Sequence, residues 1–152
     1  SKACVYYSYS VQERWSRWET ETYTDSKGHT QTRRVHKSGW TDVAGETRCC
    51  DFTLHDETGG LLVCPEGAKI EAVEVLDRTV ERDDPMYYGK GPAGSIPDSD
   101  HVRQFVEHAL PVGQEVFVVG PASERSDVVA PRISADPAAD MFLISARGEE
   151  KV

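Results

Sequence analysis

Asp56 and Glu57, side by side before Gly59-Gly60, are the first candidates for acid–base or cation chemistry in this chain. An acidic residue in a Gly-rich turn usually closes an Asx-type bond to its own backbone, and that reading is preferred. His101 and His108, seven residues apart, would share one face of a helix and could ligate a metal. A solvated polar face is the simpler account. Gly89, Gly91 and Gly94 spell GxGxxG, but the dinucleotide fingerprint needs a buried strand before it and a helix N-terminus after it. Here ERDDPMYY precedes the motif, Pro92 interrupts it and Pro97 delays any helix. Cys4, Cys49, Cys50 and Cys64 have no CxxC spacing, and adjacent Cys49 and Cys50 would point to opposite faces of a strand, which disfavours a shared metal. All three pairings of the four thiols remain open. No GxSxG elbow, HExxH pair or P-loop occurs, so no catalytic constellation, metal or cofactor is expected.

Arg33, Arg34, His36 and Lys37 form the one basic cluster, in a stretch that also holds Trp15, Trp18, Tyr23 and Trp40. Aromatics that stack bases beside cations that take phosphates would describe a single-stranded nucleic-acid binder. The alternative is an exposed hairpin whose cations pair with Glu19, Glu21 and Asp25 across the strands. A net charge of −9, with both halves acidic, favours the second reading and disfavours nucleic acid. Trp18, Tyr23, Arg33, Arg34, His36, Tyr87 and Tyr88 are the expected surface for a protein partner, whose identity the sequence does not give.

These side chains need elements to hold them. Residues 3–15 alternate, with Val5, Tyr7, Tyr9, Val11 and Trp15 on one face, and read as a half-buried strand. A long hairpin should follow, turning at Ser26-Lys27-Gly28, with Trp40 a buried lid over the core. Cys50 to Ala68, CDFTLHDETGGLLVCPEGA, reads as a central hairpin, continued by Ile70 to Leu76 into an antiparallel meander. Residues 77–98 read as a long charged, Pro- and Gly-rich loop. Val102, Phe105, Val106, Ala109 and Leu110 then fall at i, i+3, i+4, i+7, i+8, which predicts a helix capped by Asp98 or Ser99. Strands follow at Glu115–Gly120, around Ile133 and at Met141–Ala146, with a polar turn over Ser123–Ala130.

That order predicts a mainly β (α+β) fold over one domain, 1–152. The architecture expected is an OB-like antiparallel barrel with one helix between its third and fourth core strands and a long hairpin insertion. A β-sandwich is the alternative. Asn is absent and Arg outnumbers Lys 11 to 6, a composition that suggests a high-salt or high-GC source. No run approaches the roughly 20 apolar residues of a membrane span.

In this order the CVYYSYSV opening, Trp40, the CDFTLHDETGGLLVCPEGA block, Tyr88-Gly89, LPVGQEVFVVG (Leu110–Gly120), Arg132-Ile133 and FLIS resemble the GIDE domain. This family, also called BAM (beside a membrane), includes a mitochondrial-anchored protein ligase and bacterial and archaeal relatives. The resemblance implies a domain held beside a bilayer by flanking membrane helices, on the non-cytosolic side in the mitochondrial member. It also implies that ubiquitin or SUMO ligase chemistry belongs to a RING module that these residues do not form. The expectation is a non-catalytic interaction or sensing domain.

Overall fold

The computed structural model describes residues 4–124, 131–139 and 141–146. Runs rich in β-branched and aromatic residues form strands throughout. They are β1 (Cys4–Thr24), β2 (Thr30–Cys49), β3 (Phe52–Asp56), β4 (Gly59–Val63), β5 (Lys69–Glu71), β6 (Val73–Glu81), β7 (Ser99–Pro111), β8 (Phe117–Val119), β9 (Ala122–Glu124), β10 (Pro131–Ile133) and β11 (Leu143–Ser145). Among the described residues the helical content is a 3-10 turn, Pro85–Tyr88, whose cap Asp84 accepts a hydrogen bond from the Met86 amide. The strands form three sheets, ordered β2-β1-β7-β6, β3-β4-β10-β9 and β5-β11-β8. The fold is mainly β as expected, but among the described residues these sheets do not close into a barrel.

The expected helix at 99–110 is strand β7. Its 3.6-residue stripe was real, yet Arg103, Phe105 and Ala109 also alternate, and all three are buried. The charged Arg103 concealed that alternation, and pairing with β1 overrode the helical pattern. The strand begins with a kink: Asp98 and His101 adopt positive φ, 60° and 58°. Neither His101 nor His108 therefore lies on a helix, and an odd spacing along a strand puts them on opposite faces.

The central hairpin is present, β3 pairing β4 antiparallel from Phe52↔Val63 to Asp56↔Gly59. Its turn is of the Asx type, since Asp56 accepts from both the hydroxyl and the amide of Thr58. Those two bonds hold the Asp56 carboxyl below its ordinary range. The meander stops there. Pro65 is buried and cannot extend a ladder, the Cys64 amide bonds Ile133, and β4 takes β10 as a parallel neighbour, Arg132↔Leu62. β5 pairs β11, also parallel, and β11 pairs β8 antiparallel. The expected turn at 123–130 begins as strand β9, and its residues 125–130 lie outside the described ones, as does the charged end from 147.

The chain groups into two compact units, Ser1–Tyr9 with Glu46–Leu76 and Glu107–Val152, and Ser10–Gly45 with Asp77–Val106. The first has its core at Val63, Leu110, Ile133 and Ile144, against which Phe52, Leu54, Ile70, Val118 and Phe142 pack. Gly120 is required there: a Cβ at this position would lie 2.7 Å from the Phe142 ring and 2.9 Å from Ile133. In the second unit the buried residues are Val11, Val80, Tyr87 and Phe105, with two charged side chains, Glu13 and Arg103, among them.

Candidate functional site

The second unit carries the expected partner residues. Its hairpin, β1 to β2, turns where the Asp25 amide bonds the His29 carbonyl and Gly28 adopts φ 82°. That conformation suits glycine and explains the residue at the tip. Gln12 reaches Asp42, Trp15 packs over Gly39, Trp18 meets His36 and Glu21 meets Arg33, all in the one register that the turn sets. The Ser16 amide bonds the Asp98 carbonyl just before β7 starts. Beyond that point, among the described elements, residues 17–24 pair only with β2, so residues 17–37 form a two-stranded ribbon.

The two faces of this ribbon differ in charge. Successive strand residues face opposite sides. Odd positions carry every carboxylate: Arg17 and Lys37 lie 2.7 and 2.8 Å from Glu19, Arg33 lies 2.6 Å from Glu21, and Asp25 at the turn accepts from the amides of Lys27 and His29. The Lys37 ammonium, and then Arg17, hold Glu19 below the usual range, and Glu19 in turn raises Lys37. Even positions from 16 to 40 carry no carboxylate: they read Ser, Trp, five threonines, Arg34, His36, Ser38 and Trp40, with Ser26-Gly28 at the tip. Trp18 is 61% exposed, its ring 5.0 Å from that of His36 and 5.4 Å from the Arg34 guanidinium. Arg33 stacks on Tyr23 at 4.7 Å.

The structure thus gathers Trp18, Arg34 and His36 on one face and Tyr23 with Arg33 on the other. Tyr88 is exposed on the 3-10 turn, but Tyr87 is buried and corrects the expected surface: its ring lies 4.4 Å from the Arg103 guanidinium. Burial and then the Glu13 charge push its hydroxyl up. Trp40 is also corrected. It is 39% exposed, on the terminal strand β2, and among the described residues no strand lies beyond that one.

Sequence reasoning missed the network under that tyrosine. Arg103 Nε donates to Glu13 Oε1 at 2.7 Å, Nη1 donates to the Tyr87 carbonyl at 2.9 Å, and Nη2 to the Pro92 carbonyl at 2.8 Å. The Ile96 amide donates to the other Glu13 oxygen at 2.9 Å. Burial pushes the Glu13 carboxyl up, but the Ile96 amide, the Arg103 and Ser99 hydrogen bonds and the Arg103 charge together bring it below its ordinary value. One buried ion pair therefore pins the main chain of residues 87–96. The signal was present: position 13 shares parity with Val11 and Trp15, so a carboxylate there needed a buried partner.

In the first unit a cavity of about 600 Å³ is lined by Cys4, Val5, Tyr7, Cys49, Cys50 and Ala109, among others. The four cysteines form no disulfide, and Cys49 and Cys50 are exposed. Among the described residues no three His, Cys, Asp or Glu side chains converge to hold a metal, and no helix is long and apolar enough to cross a membrane. A family model described as E3 Ubiquitin ligase, GIDE, matches residues 20–152. No curated protein and no solved structure matches the chain.

Proposed function

Since the chain belongs to the GIDE (E3 ubiquitin ligase) family, we propose that it is the non-catalytic, membrane-proximal interaction or sensing domain of a GIDE-type membrane protein and meets a protein partner through the 17–37 ribbon. Family membership supports the assembly. The observation that carries the surface is the even face of the ribbon, where a Trp 61% exposed stands beside Arg34 and His36 with no carboxylate among them. An exposed indole with an adjacent cation is the composition of an interface anchor, large in area and low in entropy cost. Ligase chemistry on this reading comes from a zinc-bound RING elsewhere in the full-length protein, and the domain selects what is brought to it.

The test is a photo-crosslinking amino acid placed at Trp18 of the full-length protein in its membrane, with Val112, 68% exposed in the first unit, as the control position. A protein adduct formed from position 18, absent from position 112 and competed away by excess isolated domain, is expected. Adducts from neither position refute the reading. A second reading, a single-stranded nucleic-acid binder, draws on the same Trp18, Arg34 and His36. Retention of an oligonucleotide at low salt, lost in Trp18→Ala, would favour it.

A further inference from the structure

We infer that the outer edge of β2, from Thr30 to Trp40, takes up an extended segment of the partner as an added strand, and that the segment is acidic at every second position. The inference rests on the proposed function and names the chemistry of its partner. β2 is terminal in the order β2-β1-β7-β6, is 20 residues long and contains no proline. An edge strand of this kind offers a row of unpaired amides and carbonyls.

Which groups it offers follows from the ladder. The Ser16 amide points to Asp98, away from β2. Backbone direction alternates along a strand, so even residues of β1 face away from β2, and the even residues of β2 opposite them face the free edge. Thr32, Arg34, His36, Ser38 and Trp40 are those residues. Past Asp42 the edge is less open, since the 89–94 loop comes close: a Cβ on Gly91 would lie 3.5 Å from Ala44 and 3.9 Å from Val43.

Charge selects the occupant. Arg33, Arg34, His36 and Lys37 run along this edge, so two copies laid antiparallel about its middle would set cations against cations, which opposes self-pairing. Arg33 and Lys37 are already neutralised by Glu21 and Glu19 on the odd face. Arg34, on the even face, stacks on Trp18 and meets no carboxylate among the described residues. An incoming strand therefore meets an uncompensated cation on one face and a neutralised surface around Val35 on the other. A segment with carboxylates on the first and neutral side chains on the second fits both, and its main chain completes the ladder.

The probe is a short fluorescein-labelled peptide alternating Glu and Val, titrated into the protein and followed by anisotropy. Saturable binding is expected, with affinity lowered ~10-fold or more, about 1.4 kcal/mol, by Arg34→Glu and by Ser38→Pro. Ser38→Pro keeps every charge and aromatic group but removes an outward amide, leaving the amides that face β1 intact. Amide hydrogen exchange on the unaltered protein gives an independent reading: peptide should slow exchange at Arg34, His36 and Ser38 while leaving Val35 unchanged. The inference is overturned if a Lys-Val peptide binds as well, if Ser38→Pro binds like the wild type, if no amide is slowed, or if an oligonucleotide or phosphatidylserine vesicles bind where the peptide does not. A Trp18 crosslink without slowed exchange leaves the proposed function standing and removes only the added strand.

Discussion

Replacing Arg103 by Met keeps most of the side-chain stem and removes the guanidinium from a site with no solvent access. Glu13 is then left buried with the Ile96 amide, and the carbonyls of Tyr87 and Pro92 lose their donor. Breaking a buried ion pair from one side costs about 3–5 kcal/mol, because a charge stays desolvated and unpaired. Against a total of roughly 5–15 kcal/mol for a domain, that removes a large share of the stability. With a urea slope of about 2 kcal/mol/M, the midpoint should fall by about 2 M. The companion variant, Glu13→Leu with Arg103→Met, removes both charges and should cost less than Arg103→Met alone. Urea unfolding followed by tryptophan fluorescence measures both, and amide exchange at Ile96 reports whether the loop is released first. A loss below about 1 kcal/mol in the single variant, or a double variant worse than the single, would refute the account of a clamped loop.

The Glu13 carboxyl sits below its ordinary value, so the stability it contributes is present above the unfolded value of about 4.3 and is lost as pH falls through the folded one. Acid titration of unfolding should show a decline confined below about pH 4–5 that is shallower in Glu13→Gln, with a lower neutral baseline. Gly120→Ala should destabilise by about 1–3 kcal/mol, because its Cβ meets Phe142 and Ile133 in a packed core; a thermal midpoint equal to the wild type would contradict that packing. Trp18→Ala should leave the unfolding free energy in urea within about 0.5 kcal/mol of wild type while abolishing partner binding, which separates a contact residue from a structural one.

The alternating runs of β1 and of the β3–β4 hairpin, the Asx turn at Asp56 and the glycine turn at Gly28 were legible because each depends on neighbours within a few residues. The β7 strand was not. Its apolar positions satisfy two periods at once, and the choice is made by Glu13, 90 residues away, which draws Arg103 inward. Long-range pairing also decided that β4 would meet β10 rather than the following strand. Of the candidate surface, the hairpin aromatics and cations were readable from composition. That every carboxylate of the ribbon falls on one face could have been counted from parity once the turn was placed. Tyr87 was misplaced because nothing local distinguishes it from Tyr88.

The clasp grips main-chain atoms: the carbonyls of residues 87, 92 and 94 and the amide of residue 96 are what Arg103 and Glu13 hold. The path of this loop is therefore set from beneath by two side chains outside it, through main-chain atoms and not through the exposed side chain of Ala93. Such a segment can exchange its outward letters without losing its contour. It is where this scaffold could diversify, or where a foreign recognition peptide could be spliced in and displayed in a set conformation.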